Sequence, residues 1–101
     1  MPIYVDNSKI PYKGKYWCHL MADSLEELHN FASNIGVKKC WFHSSASYPH
    51  YDITLEKKQL ALINGASIAD RKTIIECGKK LKIELDMYKI KKYNRLQIEL
   101  F

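Results

Sequence analysis

A chain of 101 residues, 47% of them hydrophobic, has the size of one domain and can bury a real but modest core. Its start, MPIYVDNSKI, has no basic region leading into an apolar run, and no apolar stretch nears the roughly 20 residues that span a bilayer, so neither a secretory leader nor a membrane anchor is expected. The net charge of +5 is concentrated in residues 79–95, where seven basic residues meet only Glu84 and Asp86 and the rest of the chain is neutral. That segment reads first as a solvated face and only second as a nucleic-acid surface, because no nucleic-acid-binding motif accompanies it. The three cysteines, Cys18, Cys40 and Cys77, are odd in number and widely spaced. They point to buried thiols in a reducing cytoplasm rather than to a disulfide framework or a thiolate zinc site.

In chain order, Ile3-Tyr4-Val5 reads as a short strand ending at Asp6. Residues 7–14, with Pro11 and Gly14, read as a loop, and Tyr16 to Ala22 as a second strand. Ser24 followed by Glu27 makes a capping box. Leu25, Leu28, Phe31, Ala32 and Ile35 then fall at helical spacing, and Gly36 closes the helix. Val37 to His43 reads as a third strand and residues 44–50, SSASYPH, as a loop. Thr54 is the expected N-cap of a helix from Leu55 to Asn64 that Gly65 ends, and Ala66 to Ile68 a short strand. A further helix starts near Asp70. Beyond Gly78, Leu81, Ile83, Leu85 and Met87 alternate, as do Leu96, Ile98 and Leu100. Two strands turning at Tyr93-Asn94 are expected there, although Leu81, Leu85 and Tyr88 also fit a helix continuing from residue 70. Strands alternating with helices imply the α/β class, a single small domain with a mixed sheet and two to three helices.

The blocks IYVD, HLMAD followed by ELHNFA, WFH, HYDIT and the later ALINGA, in this order over about residues 2–75, resemble an uncharacterised family of small bacterial and phage proteins, a domain of unknown function. The resemblance makes residues 2–78 the family-like core and leaves 79–101 as a basic C-terminal segment. It implies a phage-compatible context, hence the host cytoplasm, and no activity.

The chemistry must therefore come from the residues. In α/β sheets ligands gather at the carboxyl ends of strands, where Asp6 and His43 lie. His43 and His50 flank a polar loop, with Tyr51, Asp52 and Thr54 next. Two such histidines can act as general base and general acid on a phosphodiester without a metal. Asp52 would hold an imidazole in its tautomer, Tyr51 would stack on a base or donate to a phosphate, and His19 of HLMAD would join them. The plainer reading is a loop whose Asp52 and Thr54 only cap the next helix. The paired HxT/HxS motif of two-histidine phosphodiesterases is not reproduced. His29, beside the buried helical stripe, reads as a satisfied core-edge histidine before it reads as support for a site. Trp17 and Trp41 read as core. Ligand binding is expected from Asp6, Lys9, Tyr48, Lys58 and Arg71, the last near a helix start that favours phosphate. Asp6, His19, His43, His50 and Asp52 are also metal-competent, but no HExxH-like spacing accompanies them, so no cofactor is expected and a divalent metal is the competing chemistry.

The function expected from these residues is a small nucleotide phosphodiesterase, with a cyclic nucleotide immune signal among its candidate substrates. A protein that sequesters a signalling nucleotide without cleaving it is the alternative, and a nucleic-acid-binding accessory protein the third. The expected partner is a small nucleotide, not a membrane; nucleic acid ranks lower, and a homo-oligomer stays open.

Overall fold

A computed structural model describes residues 2–99, with side chains described up to residue 92. The chain forms β1 (Ile3–Val5), β2 (Ile10–Tyr12), β3 (Lys15–Ala22), α1 (Leu25–Asn34), a 3₁₀ turn (Lys39–Trp41), β4 (Phe42–His43), β5 (His50–Thr54), α2 (Leu55–Ile63), β6 (Ser67–Ile68) and α3 (Arg71–Glu99). This is a small α/β domain with a mixed six-stranded sheet and, among the described residues, three α-helices, as expected. The strand order is β4-β5-β3-β1-β6, with β2 also paired to β3. All pairings are antiparallel except β1 with β6.

The long central strand β3 carries two partners along one edge. Its end pairs with β1, Val5 opposite Leu20, and its start pairs with β2, Ile10 opposite Trp17. Between these ladders the outer chain holds two residues more than the register needs. The surplus lifts residues 6–9 into a bulge, which re-aims a side chain as bulges do. Residues 7–14 are thus not simply a loop. Pro11 is tolerated because β2 is an exposed edge strand. A two-residue Lys13-Gly14 turn, with φ of 50° and 75°, gives the primed geometry that joins twisted strands.

Ser24 caps α1 by accepting from the Glu27 amide, and Thr54 caps α2 by accepting from Lys57. Only half of the capping box forms, since Glu27 Oε2 is buried with no hydrogen-bond partner. At the far ends, Val37 N donates to Ala32 O and Ala66 N to Ala61 O, the longer bond of a Schellman closure in each helix. Val37 is therefore spent on ending α1, and the strand expected over residues 37–43 shrinks to Phe42–His43 behind a 3₁₀ turn.

The C-terminal expectation fails. Residues 71–99 are one helix, not a helix followed by two strands. Asp70 caps its start by accepting from Thr73 N at 2.8 Å, and Cys77 and Leu81 enter the core. Ile83, Met87 and Ile90 are exposed, so the alternating apolar pattern has no sheet to pack on, while the Lys, Leu, Glu and Met content favours helix. The Arg95 side chain and Leu100 lie outside the described residues. No helix among the described residues is long and apolar enough to cross a membrane.

The core contains Val5, Leu20, Leu28, Ala32, Ile53, Ala61 and Leu81. Cys18 and Cys77 are buried but Cys40 is exposed, against the expectation of three buried thiols. Burial pushes the Cys18 thiol up to about 12 and, helped by its hydrogen bond to Asp23, Cys77 up to about 11, so neither is a ready thiolate.

Candidate functional site

Strand alternation divides the central strands between two faces. On β5, Tyr51 and Ile53 are buried while His50 and Asp52 are half-buried. On β3, Cys18 and Leu20 are buried and His19 between them is half-buried. The ladder sets His19 opposite Asp52 and His43 opposite His50. Three histidines and one carboxylate therefore meet on the face away from Tyr51.

Asp52 is the centre of this group. Its Oδ2 lies 2.8 Å from His43 Nε2, and its Oδ1 lies 3.1 Å from His50 Nε2 and 3.9 Å from His19 Nε2. The His43 and His50 rings stack with centroids 5.3 Å apart, and His19 meets His50 edge to face at 4.7 Å. His50 Nδ1 is 2.7 Å from the Tyr48 carbonyl oxygen. One ring nitrogen each of His19 and His50 and one Asp52 oxygen lie within 4.8 Å of one another, close enough to hold a metal ion.

The bulge delivers Asp6 to the same place. Asp6 Oδ2 is 2.5 Å from His19 Nδ1, and its Oδ1 accepts from the His19 backbone N–H at 3.0 Å, in place of a ladder carbonyl. Ser8 donates to the same carboxylate through its backbone and its hydroxyl. Burial would raise the Asp6 carboxyl, but the hydrogen bonds from His19 and Ser8 outweigh it and hold it at about 2. The bond to Asp6 in turn raises His19, partly opposed by burial.

Two clefts meet at this cluster. One, of about 550 Å³, is lined by Tyr12, Trp17, Trp41, His43 and Asp52 among others. The second, of about 620 Å³, is lined by Asp6, His19, Tyr48, Asp70 and Arg71 among others, at the N-terminus of α3. Both lie in the size range of small-molecule sites.

The five residues expected to gather, Asp6, His19, His43, His50 and Asp52, are together, and Tyr48 and Arg71 line the adjoining cleft. Lys58 instead reaches Asn7 Oδ1 at 3.2 Å, and exposed Lys9 lines neither cleft. Tyr51 is a correction. It is 2% exposed, and its hydroxyl meets His29 Nδ1 at 2.8 Å on the core side. A strand at 50–54, where a loop was expected, turns every second side chain inward. Trp17 and Trp41, read as core, are both half-buried: Trp41 does pack against the core, while the two rings meet edge to face at 5.1 Å and line the first cleft. Their aromatic clustering with Tyr12 needed the β2–β3 hairpin to become visible.

His29 itself is a satisfied core-edge histidine remote from the cluster. Burial lowers it below its ordinary value of 6.5. The fold thus favours the neutral ring, and the stability tied to it is complete above the unfolded-state value. It is lost as pH falls through about 6.5 towards the folded value. Urea unfolding at pH 7.5 and 5.5 should show a larger acid-side loss in wild type than in His29→Gln; equal losses would refute the assignment.

Neither a search of curated proteins nor a search of solved structures returned a match. A family described as a protein of unknown function, DUF4031, matches residues 3–81, which include every member of the histidine–aspartate cluster and end at the buried Leu81. The chain belongs to the DUF4031 family.

Proposed function

We propose that the chain is a hydrolase that opens a phosphodiester bond in a small nucleotide, with His43 as the proton-transferring group. The observation that carries this reading is the contact of His43 Nε2 with Asp52 Oδ2 at 2.8 Å, on a histidine whose side chain is 51% exposed at a cleft edge. Asp52 accepts the Nε2 proton and fixes the tautomer, leaving the Nδ1 lone pair for chemistry, the division of labour of an aspartate–histidine dyad. Both nitrogens of His50 are engaged, one at the Tyr48 carbonyl and one facing Asp52. The paired roles expected for His43 and His50 therefore reduce to one proton carrier.

In this scheme His43 Nδ1 takes a proton from a water as that water's oxygen bonds to phosphorus. The bond from phosphorus to the leaving sugar oxygen breaks, and that oxygen takes a proton from solvent. Trp17 and Trp41 offer a stacking platform for a base. Arg71, which lines the second cleft, suits a phosphate.

The test is to incubate the purified protein with cyclic di- and trinucleotides and linear dinucleotides, with and without divalent ions, and to read products by liquid chromatography. Conversion of at least one substrate, falling on the order of 100- to 10,000-fold in His43→Ala, is expected. Tight binding with no product under any condition would replace this reading with sequestration.

A further inference from the structure

We propose that His19, His50 and Asp52 form a binding site for one first-row divalent transition metal ion, of the zinc or manganese class, through His19 Nε2, His50 Nε2 and Asp52 Oδ1. The argument starts from where the ring protons must be. The Tyr48 carbonyl can only accept, and it lies 2.7 Å from His50 Nδ1, so that nitrogen carries the hydrogen. The Asp6 carboxylate is 2.5 Å from His19 Nδ1, so that nitrogen carries one as well. In neutral rings each Nε2 is then a bare lone pair. Both lone pairs face the same oxygen of Asp52, at 3.1 Å from His50 and 3.9 Å from His19.

When both rings are neutral, three electron-pair donors converge with no hydrogen between them, and a cation can take the place of the second ring proton that would otherwise bridge them. Metal–ligand bonds of about 2.0–2.2 Å put neighbouring ligand atoms roughly 3–3.5 Å apart. His50 and Asp52 already have that spacing, and small ring rotations would bring His19 to it. Two imidazoles and one carboxylate suit zinc, manganese or iron better than magnesium or calcium.

A second observation points the same way. Metal-bound histidines generally donate their other N–H to a carboxylate or a backbone carbonyl, which fixes the tautomer and raises ligand basicity. Here Asp6 holds His19 and the Tyr48 carbonyl holds His50. His43 Nε2 contacts Asp52 Oδ2 at 2.8 Å, leaving Oδ1 for the ion. Each proposed ligand therefore has its own outer partner, and Asp6 and His43 are positioning residues for this site. The inference rests on these tautomers and not on the hydrolase reading. If that reading holds as well, the ion would supply a Lewis acid beside His43.

The full chain would be stripped with a chelator, dialysed, and titrated with zinc and with manganese by isothermal calorimetry in the absence of any nucleotide. One ion per chain is expected, with magnesium giving no comparable heat. His19→Ala and His50→Ala should each abolish stoichiometric binding, with folding checked by circular dichroism. Asp6→Asn, which keeps the shape of the side chain, should weaken binding about 10- to 100-fold. In nitrogen NMR of the histidine rings, zinc should shift Nε2 of His19 and His50 while their Nδ1 stay protonated. No stoichiometric binding by wild type would overturn the proposal, as would unchanged affinity in Asp6→Asn together with unmoved ring signals. Because no substrate is present, a negative result leaves the hydrolase reading untouched. Product formation with the ion removed would likewise leave the binding result standing.

Discussion

Replacing Asp52 with asparagine is expected to lower nucleotide turnover on the order of 100- to 10,000-fold while leaving the melting temperature unchanged or higher. The two effects part because one side chain serves chemistry and fold in opposite senses. As a carboxylate, Asp52 faces the His50 lone pair at 3.1 Å and accepts from His43 at 2.8 Å. An amide of the same shape can still accept from His43 through its oxygen and can donate to His50 through its nitrogen. The electrostatic conflict disappears and the local hydrogen bonds are complete. What is lost is the negative charge beside the ring that takes up the proton and, with the metal site, one ligand. Alanine at 52 should lose activity to a similar degree without the gain in stability, because His43 then loses its acceptor and nothing donates to His50. Steady-state kinetics and thermal melts on both variants decide the matter. An Asp52→Asn protein with wild-type turnover would remove Asp52 from the mechanism.

The parts of this molecule that were legible in the sequence are those set by local chemistry. Ser24 and Thr54 are caps because their hydroxyls meet amides three residues on, and no distant contact is needed to see it. The gathering of Asp6, His19, His43, His50 and Asp52 was legible only as a tendency, through strand ends and one polar segment. The pairings that give it meaning depend on register. Asp6 reaches His19 because the edge of β3 holds a two-residue surplus, and a surplus shows only once both ladders are known. The misplacement of Tyr51 has one cause. HYDIT follows a Ser- and Pro-containing stretch and reads as loop, whereas as β5 its period of two sends Tyr51 and Ile53 inward. The long C-terminal helix was misread for a related reason. Leu81, Ile83, Leu85 and Met87 alternate, and alternation means strand only where a sheet can receive it. Of these, Leu81 alone is fully buried.

Gly78→Ala is expected to destabilise the wild-type protein by about 1–2 kcal/mol and to stabilise a Tyr48→Gly protein by about 1 kcal/mol, a reversal of sign at one position. In an open helix, alanine is worth about 1 kcal/mol more than glycine, and that gain is available in the middle of α3. At position 78, however, a Cβ would fall 2.5 Å from the Tyr48 Cβ and 2.6 Å from its Cγ. The Tyr48 Cβ is fixed by the backbone and no side-chain rotation moves it, so the loop backbone must move. Overpacking of this kind typically costs about 1–3 kcal/mol, and a contact as short as 2.5 Å belongs to the upper part of that range, about 2–3 kcal/mol, which outweighs the helix gain. Removing the Tyr48 side chain removes the obstacle, and the helix gain alone remains. The coupling between the two positions from a double-mutant cycle by urea unfolding should therefore be about 2–3 kcal/mol, at the upper end for residues in contact. The consequence extends beyond stability. Tyr48 holds His50 through its carbonyl at 2.7 Å, so pushing the loop off α3 frees His50 to change tautomer and turn away from Asp52. Gly78→Ala should thus also weaken zinc binding in calorimetry, although residue 78 touches no member of the cluster. A Gly78→Ala protein more stable than wild type, with zinc affinity unchanged, would show that the Tyr48 loop does not rest on α3 in solution.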